Sequence, residues 1–504
     1  MPQLYANLSK NSTVPSVAGG ILWADNVNKV FYLFGGEYTQ GPPLGGSSLW
    51  GYDVILNQWN LTSSSSNKQI DRVAYGAGVS VSERAEAYYF GGYLSNKTIP
   101  GWSGPPLATS NIVKYDMARD SWSNNTGPDS IPRAEGVMVF IPASDQGLLI
   151  YFGGVTSPFG NETVLSAPME TIYIYDIASS KWYTQTATGT VPERRRRFCA
   201  GATWAQDKSS YNIYLYGGLG FPPNTTAYDD VYILTLPSFR WIKWYPTEPG
   251  PGAPHHSLTC NVINGAQMLI IGGTFPATDA CDSPGVWGTH NLNLGKNNPD
   301  NAKWSMFYPD LKQYNVPSEI VAVVGGSASG GATKAAPDLG WNNRDLPIYF
   351  TRQATFTART PTRYIPTSTS SPTPTATPSP APKERSKTPV IAGAAVGGTI
   401  GLVATVTLLF CCLKRYRENR PERREPAELA NNQPFYHVEQ VDPESPEMKY
   451  HYPQSPAGEY YGVSSLNTAH SPNSQNLPNS PSPIHSSPHP ALAHPTPFAP
   501  TEMA

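Results

Sequence analysis

Residues 148–154 read Leu-Leu-Ile-Tyr-Phe-Gly-Gly, residues 171–176 read Thr-Ile-Tyr-Ile-Tyr-Asp, and Trp182 follows six residues after the aspartate. The first segment is a short apolar run that ends in a glycine pair, and the second is rich in aromatic and β-branched residues. Both compositions predict β-strands. Because the same pattern recurs along roughly the first 300 residues, residues 134–186 are one copy of a repeat that decides the fold.

Five apolar runs end in a glycine pair, and their first glycines are 56, 62, 64 and 55 residues apart. The pairs are Gly35-Gly36, Gly91-Gly92, Gly153-Gly154, Gly217-Gly218 and Gly272-Gly273. In three copies a Tyr-Asp pair precedes a tryptophan six residues after the aspartate. The tryptophans of the five copies are Trp59, Trp122, Trp182, Trp241 and Trp304.

A period of this length with a glycine pair, a tyrosine and a tryptophan resembles the kelch repeat, one β-propeller blade per copy. Strands buried between blades read as apolar runs, glycines permit positive φ, and a tryptophan can pack between blades. An ordinary β-sandwich is the alternative, and five register-matched copies favour the propeller. The predicted fold is therefore all-β, a kelch-type β-propeller.

The repeat predicts four strands in each copy, with the fourth at the tryptophan. After Trp304 the pattern weakens, and Glu319–Val324 and Leu346–Thr351 are predicted as two further strands. Together with residues 3–9 they would close a sixth blade and remove exposed sheet edges. No apolar leader follows Met1, so we expect a start further upstream, and a longer parent could hold seven blades.

Composition divides the chain into four parts: the propeller at 1–358, a Ser/Thr/Pro-rich stalk at 359–389, a transmembrane helix at 390–413 and a disordered tail at 414–504. Val390–Leu413 is 24 residues without a charge, and six lysines or arginines follow within 414–424. This predicts a single-pass plasma-membrane protein with an extracellular N-terminus and a cytoplasmic C-terminus. Glycines at 393, 397 and 401 allow a helix-mediated dimer, and a lone glycine-tolerant helix is the alternative.

Several modifications follow from this topology. Cys260 and Cys281 belong to one blade and are the predicted disulfide, which leaves Cys199. Cys411 and Cys412 are candidates for palmitoylation at the end of the span, or simply apolar helix residues. The predicted N-glycosylation sites are Asn7, Asn11, Asn60, Asn96, Asn124, Asn161 and Asn224. The Ser-Pro sites predicted for phosphorylation, or else products of low-complexity drift, are Ser445, Ser455, Ser471, Ser480, Ser482 and Ser487.

Little in the sequence points to catalysis. The formal net charge of −2 gives no support for nucleic-acid binding. Serine-nucleophile, zinc-protease and nucleotide-loop motifs are absent. The kelch resemblance implies one enzyme, a galactose-oxidase-like copper enzyme with two histidine ligands, two tyrosines and a cysteine. The propeller has only His255, His256 and His290, and adjacent histidines on a strand point to opposite faces. We therefore predict no metal, no cofactor and no enzyme.

Basic or imidazole residues precede each predicted inner strand and should gather at one mouth of the axial channel. The ligand-binding candidates are Arg72, Arg133, Arg197 and His256, with Trp102 on a loop of the same face. An anionic glycan or an acidic partner segment would suit such a mouth. The alternative is that each arginine pairs with a backbone or carboxylate group of the next blade.

The layout of the whole chain resembles a family of fungal membrane-anchored surface proteins with kelch propellers. That resemblance implies a non-enzymatic module that binds a cell-wall glycan or a protein partner, in cell-wall sensing or adhesion. A galactose-oxidase-like copper enzyme and a structural cell-wall or polarity scaffold are the alternatives.

Overall fold

A computed structural model describes residues 10, 13–41, 49–62, 70–161, 163–223, 226–248, 252–276 and 288–366. The first sheet contains β1 (Val17–Asp25), β2 (Val30–Tyr38), β3 (Leu49–Asp53) and β4 (Gln58–Thr62), paired in that order. The second sheet and the short ribbon within it contain β5 (Ala77–Val81), β6 (Glu86–Phe90), β7 (Tyr93–Leu94), β8 (Leu107–Ala108), β9 (Ile112–Asp116) and β10 (Ser121–Asn125). The blade order is β5-β6-β9-β10, and β7 pairs with β8.

The third repeat contains β11 (Arg133–Ala134), β12 (Val137–Ile141), β13 (Leu148–Phe152), β14 (Val155–Thr156), β15 (Leu165–Ser166), β16 (Thr171–Asp176) and β17 (Lys181–Thr186). Its blade order is β12-β13-β16-β17, and β11-β14-β15 is a small separate sheet. The fourth sheet contains β18 (Thr188–Gly189), β19 (Cys199–Trp204), β20 (Tyr211–Tyr216), β21 (Val231–Leu236) and β22 (Arg240–Tyr245). The fifth contains β23 (His256–Ile263), β24 (Gln267–Thr274) and β25 (Thr289–Asn293), and the helices are α1 (Ser318–Val324) and α2 (Leu346–Phe350).

The described residues therefore include five successive sheets whose repeat strands are antiparallel and follow the predicted order. In the fourth sheet β18 adds a short strand that runs parallel to β22. The all-β architecture is confirmed, and the sheets agree with a β-propeller. Trp304, expected in a fourth strand of the fifth sheet, makes only an isolated bridge to Leu292.

The two strands predicted beyond Trp304 are wrong, because both segments are helices. Pro317 precedes α1, and Ile320 and Val324 bury one helical face at a spacing of four residues. In α2, Leu346 is buried against the third and fourth sheets. Short apolar runs do not distinguish a strand from a buried helix. The described residues thus hold no sixth blade of the predicted kind, and residues 3–9 lie outside them.

Trp59 packs within the first sheet, whereas the other four repeated tryptophans pack on the preceding blade, as the sequence predicts. In each case the indole contacts the aromatic ring that stands immediately before a glycine pair, with ring centroids 5.0–5.4 Å apart. The pairs are Trp122–Phe34, Trp182–Phe90, Trp241–Phe152 and Trp304–Tyr216. Aromatic pairs at this separation add to the burial of their surface, so this contact joins each blade to its neighbour.

The glycine pairs form the second joint between blades. The N–H of the second glycine donates to a carbonyl oxygen just ahead of the next inner strand, at 2.8–3.0 Å. These bonds join Gly36 to Val73, Gly92 to Arg133, Gly154 to Arg195 and Gly218 to His255. Because the two backbones must approach closely there, a side chain has no room.

A C-terminal segment, residues 353–363, crosses from the third sheet to the first and is called the strap below. Gln353 forms a bridge with Ala143 at one end. At the other, Arg359 binds both carboxylate oxygens of Asp25, at 2.9 and 3.1 Å, and Arg363 binds Asp53. The predicted stalk starts at residue 359, yet these first residues hold the ends of the first blade's hairpins together.

The disulfide prediction is wrong, because Cys260 pairs with Cys199 and not with Cys281. Cys199 lies on β19 and Cys260 on β23, with Cα atoms 5.4 Å apart. The sequence argument favoured cysteines of one blade, whereas the first strands of neighbouring blades face each other. Cys281 lies outside the described residues.

Within the part of the chain that the structure describes, no helix is both long and apolar enough to cross a membrane. The predicted span at 390–413 and the tail, with Cys411, Cys412 and the six Ser-Pro sites, lie outside that part.

Candidate binding site at the start of the inner strands

Five residues at the start of the inner strands form a chain of hydrogen bonds across all five sheets, called the inner-strand arc below. From the second sheet onward, the N–H of each arc residue donates to the carbonyl oxygen of the arc residue in the preceding sheet, at 2.7–2.9 Å. All five have a positive φ of 55–66°. The residues are Gly19, Tyr75, Glu135, Arg197 and Ser257. The left-handed backbone turns the N–H groups toward the preceding sheet, and the side chains of Tyr75 and Glu135 both contact Arg197.

Polar side chains of the arc and its neighbours form one cluster, called the axial cluster: Glu37, Tyr75, Glu135, Arg196 and Arg197. Arg197 donates to one carboxylate oxygen of Glu135 at 2.9 Å, and Arg196 lies 3.4 Å from the other. The Arg197 guanidinium stacks 4.6 Å from the centre of the Tyr75 ring. The Tyr75 hydroxyl donates to Glu37 at 2.9 Å.

The cluster combines a buried acid with partly exposed bases. The side chain of Glu135 is 2% exposed, whereas those of Arg196 and Arg197 are 30% and 25% exposed. Burial opposes the charge of Arg197, but the Glu135 carboxylate outweighs it and raises the pKa of Arg197. Burial and the Glu37 carboxylate raise the pKa of the Tyr75 phenol, which keeps it neutral.

Two of the predicted ligand residues lie elsewhere, with partners of their own. Arg72 is buried and donates to the Gly35 carbonyl oxygen at 2.6 Å. Arg133 is buried, binds both carboxylate oxygens of Asp129 and donates to the Tyr173 hydroxyl at 2.9 Å. The partners are backbone and carboxylate groups, as in the alternative that the sequence left open. They do not lie in the next blade, because Gly35 belongs to the preceding sheet and Asp129 lies four residues before Arg133.

The other predicted residues divide between the axial cluster and its surroundings. Arg197 belongs to the cluster, and His256 is buried close enough to it for the charge of Arg197 to affect the pKa of the imidazole. Burial, Arg197 and Arg196 all lower the pKa of His256. Trp102 is half-buried and donates from its indole N–H to the Pro105 carbonyl oxygen, 3.0 Å away within its own loop.

The sequence analysis missed Glu135 and Tyr75, although a signal was present. Tyr75, Glu135, Arg197 and Ser257 recur at intervals of 60, 62 and 60 residues. They share no side-chain chemistry, so only their shared position ahead of each inner strand marks them. Among the predicted glycosylation sites, Asn60, Asn96, Asn124 and Asn161 are exposed, and Asn7, Asn11 and Asn224 lie outside the described residues.

The described side chains also bear on metal binding. There, no three His, Cys, Asp or Glu side chains come together in a way that could hold a metal ion. The rings of His255 and His290 lie 5.8 Å apart, and His255 also packs 4.2 Å from Phe275. Cys199 is held in its disulfide.

Comparison with known proteins shows the same repeat. Residues 7–218 match the KLHDC2/KLHL20/DRC7 Kelch-repeats domain family. A Kelch repeat-containing protein of Arthroderma benhamiae is 30% identical over 379 residues, 64% of this chain and 55% of that protein. Kelch domain-containing protein 3 of Bos taurus is 24% identical, over 50% of this chain and 60% of that protein.

The chain thus spans about half the length of the curated relatives it matches. The solved structure of YjhT aligns at 14% identity with a TM-score of 0.37, over 59% of this chain and 79% of that one. Residues 7–218 thus match a kelch-repeat family, the five repeated sheets agree with a β-propeller, and a kelch-repeat domain suggests a protein-binding module.

Proposed function

We propose that the repeat region is a non-catalytic recognition module whose partner is a protein with a carboxylate-bearing segment, bound at the axial cluster. The observation that carries this proposal is an excess of hydrogen-bond donors. Arg196 and Arg197 share the single carboxylate of Glu135. Among the described residues, the Nε atoms of both arginines are buried without a hydrogen-bond partner.

Each guanidinium carries five N–H donors, so one carboxylate cannot satisfy two of them. Both arginine side chains are partly exposed, so a ligand can reach part of each one, although not its buried Nε atom. A carboxylate is the group that matches a guanidinium fork best, and a peptide supplies it on a flexible backbone. The inner-strand arc holds the cluster on a rigid frame, which reduces the entropy lost on binding.

Selection of a random peptide library on the full chain tests this proposal. We expect the bound peptides to be enriched in aspartate and glutamate. Arg196→Gln should weaken them by about tenfold to hundredfold, since it removes charge-assisted hydrogen bonds. Arg197 still pairs with Glu135 in that variant, so the buried acid stays neutralised. Arg197→Lys, which keeps the charge but loses the fork, should also weaken binding.

Arg194→Gln is the matched control, because Arg194 is exposed and lies in the same segment. Its guanidinium donates a hydrogen bond to the Ser166 hydroxyl at 3.3 Å and is not part of the axial cluster. Thermal unfolding of each variant separates lost binding from lost folding. Peptides without acidic enrichment, or acidic peptides that bind Arg196→Gln as well as the parent, would refute the proposal. Polygalacturonate, an anionic glycan, serves as the second probe: stronger binding than that of acidic peptides would favour a glycan partner.

We further propose that this module is presented outside the cell by a single-pass membrane protein. The support is the uncharged run at 390–413 with basic residues after it, and the exposure of four sequons. Treatment of intact cells with a protease should then remove the repeat region and leave an epitope on the C-terminus protected. A glycosidase should reduce the apparent mass, and less so after Asn96→Gln. Protection of the repeat region in intact cells would rule this topology out.

A further inference from the structure

A cavity that is separate from the axial cluster lies at the opposite end of the inner strands. Its volume is about 600 Å³ and it opens to solvent. It is lined where β1, β5, β19 and β23 end, by residues that include Asn26, Ser82, Trp204 and Asn264. Small-molecule sites typically span about 300–1,000 Å³, so this cavity has room for a ligand.

The lining is polar but carries almost no net charge. Neutral amides and hydroxyls dominate it, and its charged lining residues are one lysine, Lys312, and one acid, Glu83. Asn26, Gln206 and Asn264 are exposed at the cavity, where each amide offers both donors and an acceptor. A phosphate or carboxylate ligand would find a single cation there, and a basic ligand a single acid.

Trp204 adds an apolar surface to this polar wall. Its half-buried indole lines the cavity and is backed by the apolar core of the third and fourth sheets. An aromatic face beside neutral amides and hydroxyls matches a ligand with apolar C–H faces and many hydroxyl groups. We infer that this cavity binds a neutral sugar, with a ring stacked on Trp204 and its hydroxyls bonded to the amides.

The rigid geometry of the wall supports this assignment. Ser80 and Ser82 accept backbone N–H groups of Ala24 and Asn26, at 3.1 and 2.8 Å, which joins the first two sheets at the rim. The Thr203 hydroxyl donates to the Gly265 carbonyl oxygen at 2.6 Å, which joins the fourth and fifth. These three hydroxyl groups are therefore held in place before a ligand arrives.

Saturation-transfer NMR on the full chain, with maltose, cellobiose, lactose and N,N′-diacetylchitobiose at millimolar concentration, tests the inference. At least one of these probes should receive saturation. Asn264→Asp should weaken it by about fivefold, because the carboxylate lacks the N–H donors. The variant should fold, since Asn264 is exposed and has φ +53°, which aspartate tolerates. Trp204→Ala should weaken binding by about tenfold.

Trp102→Ala is the matched control, a half-buried tryptophan that does not line the cavity, and it should leave sugar binding unchanged. Arg196→Gln should also leave it unchanged, which separates this cavity from the proposed peptide site. The inference fails if none of the four sugars receives saturation. It fails equally if a sugar binds Asn264→Asp as strongly as the parent chain.

Discussion

Replacement of Gly91 with alanine is expected to lower the free energy of unfolding by about 3 kcal/mol or more. Gly91 has φ +68°, which costs an alanine about 1 kcal/mol. An added Cβ would lie 2.2 Å from the Arg133 carbonyl oxygen in the next blade. That oxygen accepts the Gly92 N–H at 2.8 Å, so the clash can be relieved only by opening the joint between the two blades.

Gly101→Ala is the matched control for this prediction. Gly101 has a similar φ of +75°, but nothing lies within 4 Å of the added Cβ. We expect a loss of only about 1 kcal/mol, from backbone strain alone. Urea unfolding of both variants, followed by tryptophan fluorescence, measures the difference. Equal losses would show that the glycine pair serves only backbone conformation and not the joint between blades.

The second large effect is expected at the strap. Arg359→Met should lower the free energy of unfolding by about 3 kcal/mol, because it leaves the carboxylate of Asp25 buried without its cation. The Asp25 side chain is 0% exposed and that of Arg359 is 16% exposed, so solvent screens this pair little. The variant also loses the hydrogen bond from Arg359 to the Ser82 carbonyl oxygen, at 2.5 Å.

The pH dependence of this loss gives an independent check. Burial alone would raise the pKa of Asp25, but hydrogen bonds from Arg359 and Asn28 lower it below the ordinary value. The pair therefore stabilises the fold above the unfolded-state pKa of about 3.9, and this contribution disappears as the pH falls through the folded-state pKa. The difference between parent and Arg359→Met should be largest near neutrality and shrink below about pH 4.

Arg363→Met provides the comparison on the same strap. Burial raises the pKa of its partner Asp53, but Arg363 and two backbone N–H groups together lower that pKa below its ordinary value. This pair is more exposed than the Arg359–Asp25 pair. We expect a loss of about 1 kcal/mol. Denaturant unfolding at pH 7 and pH 4 covers all three proteins. If Arg359→Met is as stable as Arg363→Met, the strap is not a specific clasp on the first blade.

The predicted strands show how far local pattern reaches. The strands Leu49–Asp53 and Ile112–Asp116 follow from local pattern, because alternation, glycine pairs and Tyr-Asp turns encode them within a few residues. The same reasoning wrongly predicts a strand at Glu319–Val324. Its apolar run has no repeat signature, and the choice of helix depends on what buries Ile320 and Val324.

At the candidate site, local sequence decides less than tertiary contacts do. Arginines ahead of inner strands are visible in the sequence, but whether each serves the fold or a ligand depends on its partners. Arg133 finds Asp129 four residues away, whereas Arg197 finds Glu135 in the neighbouring blade, 62 residues earlier. A pairing across that distance leaves no trace in local sequence.

The sequence by itself determined the repeat, its strand order and the tryptophan contacts between blades, because each follows from side chains at a fixed spacing along one segment. Only the tertiary structure decided that Cys199 pairs with Cys260, that Arg359 clasps Asp25 and that the axial cluster forms. The disulfide, the Arg359–Asp25 pair and the Arg197–Glu135 pair each join residues at least 61 positions apart. Their proximity is produced by the stacking of blades, which no single repeat contains.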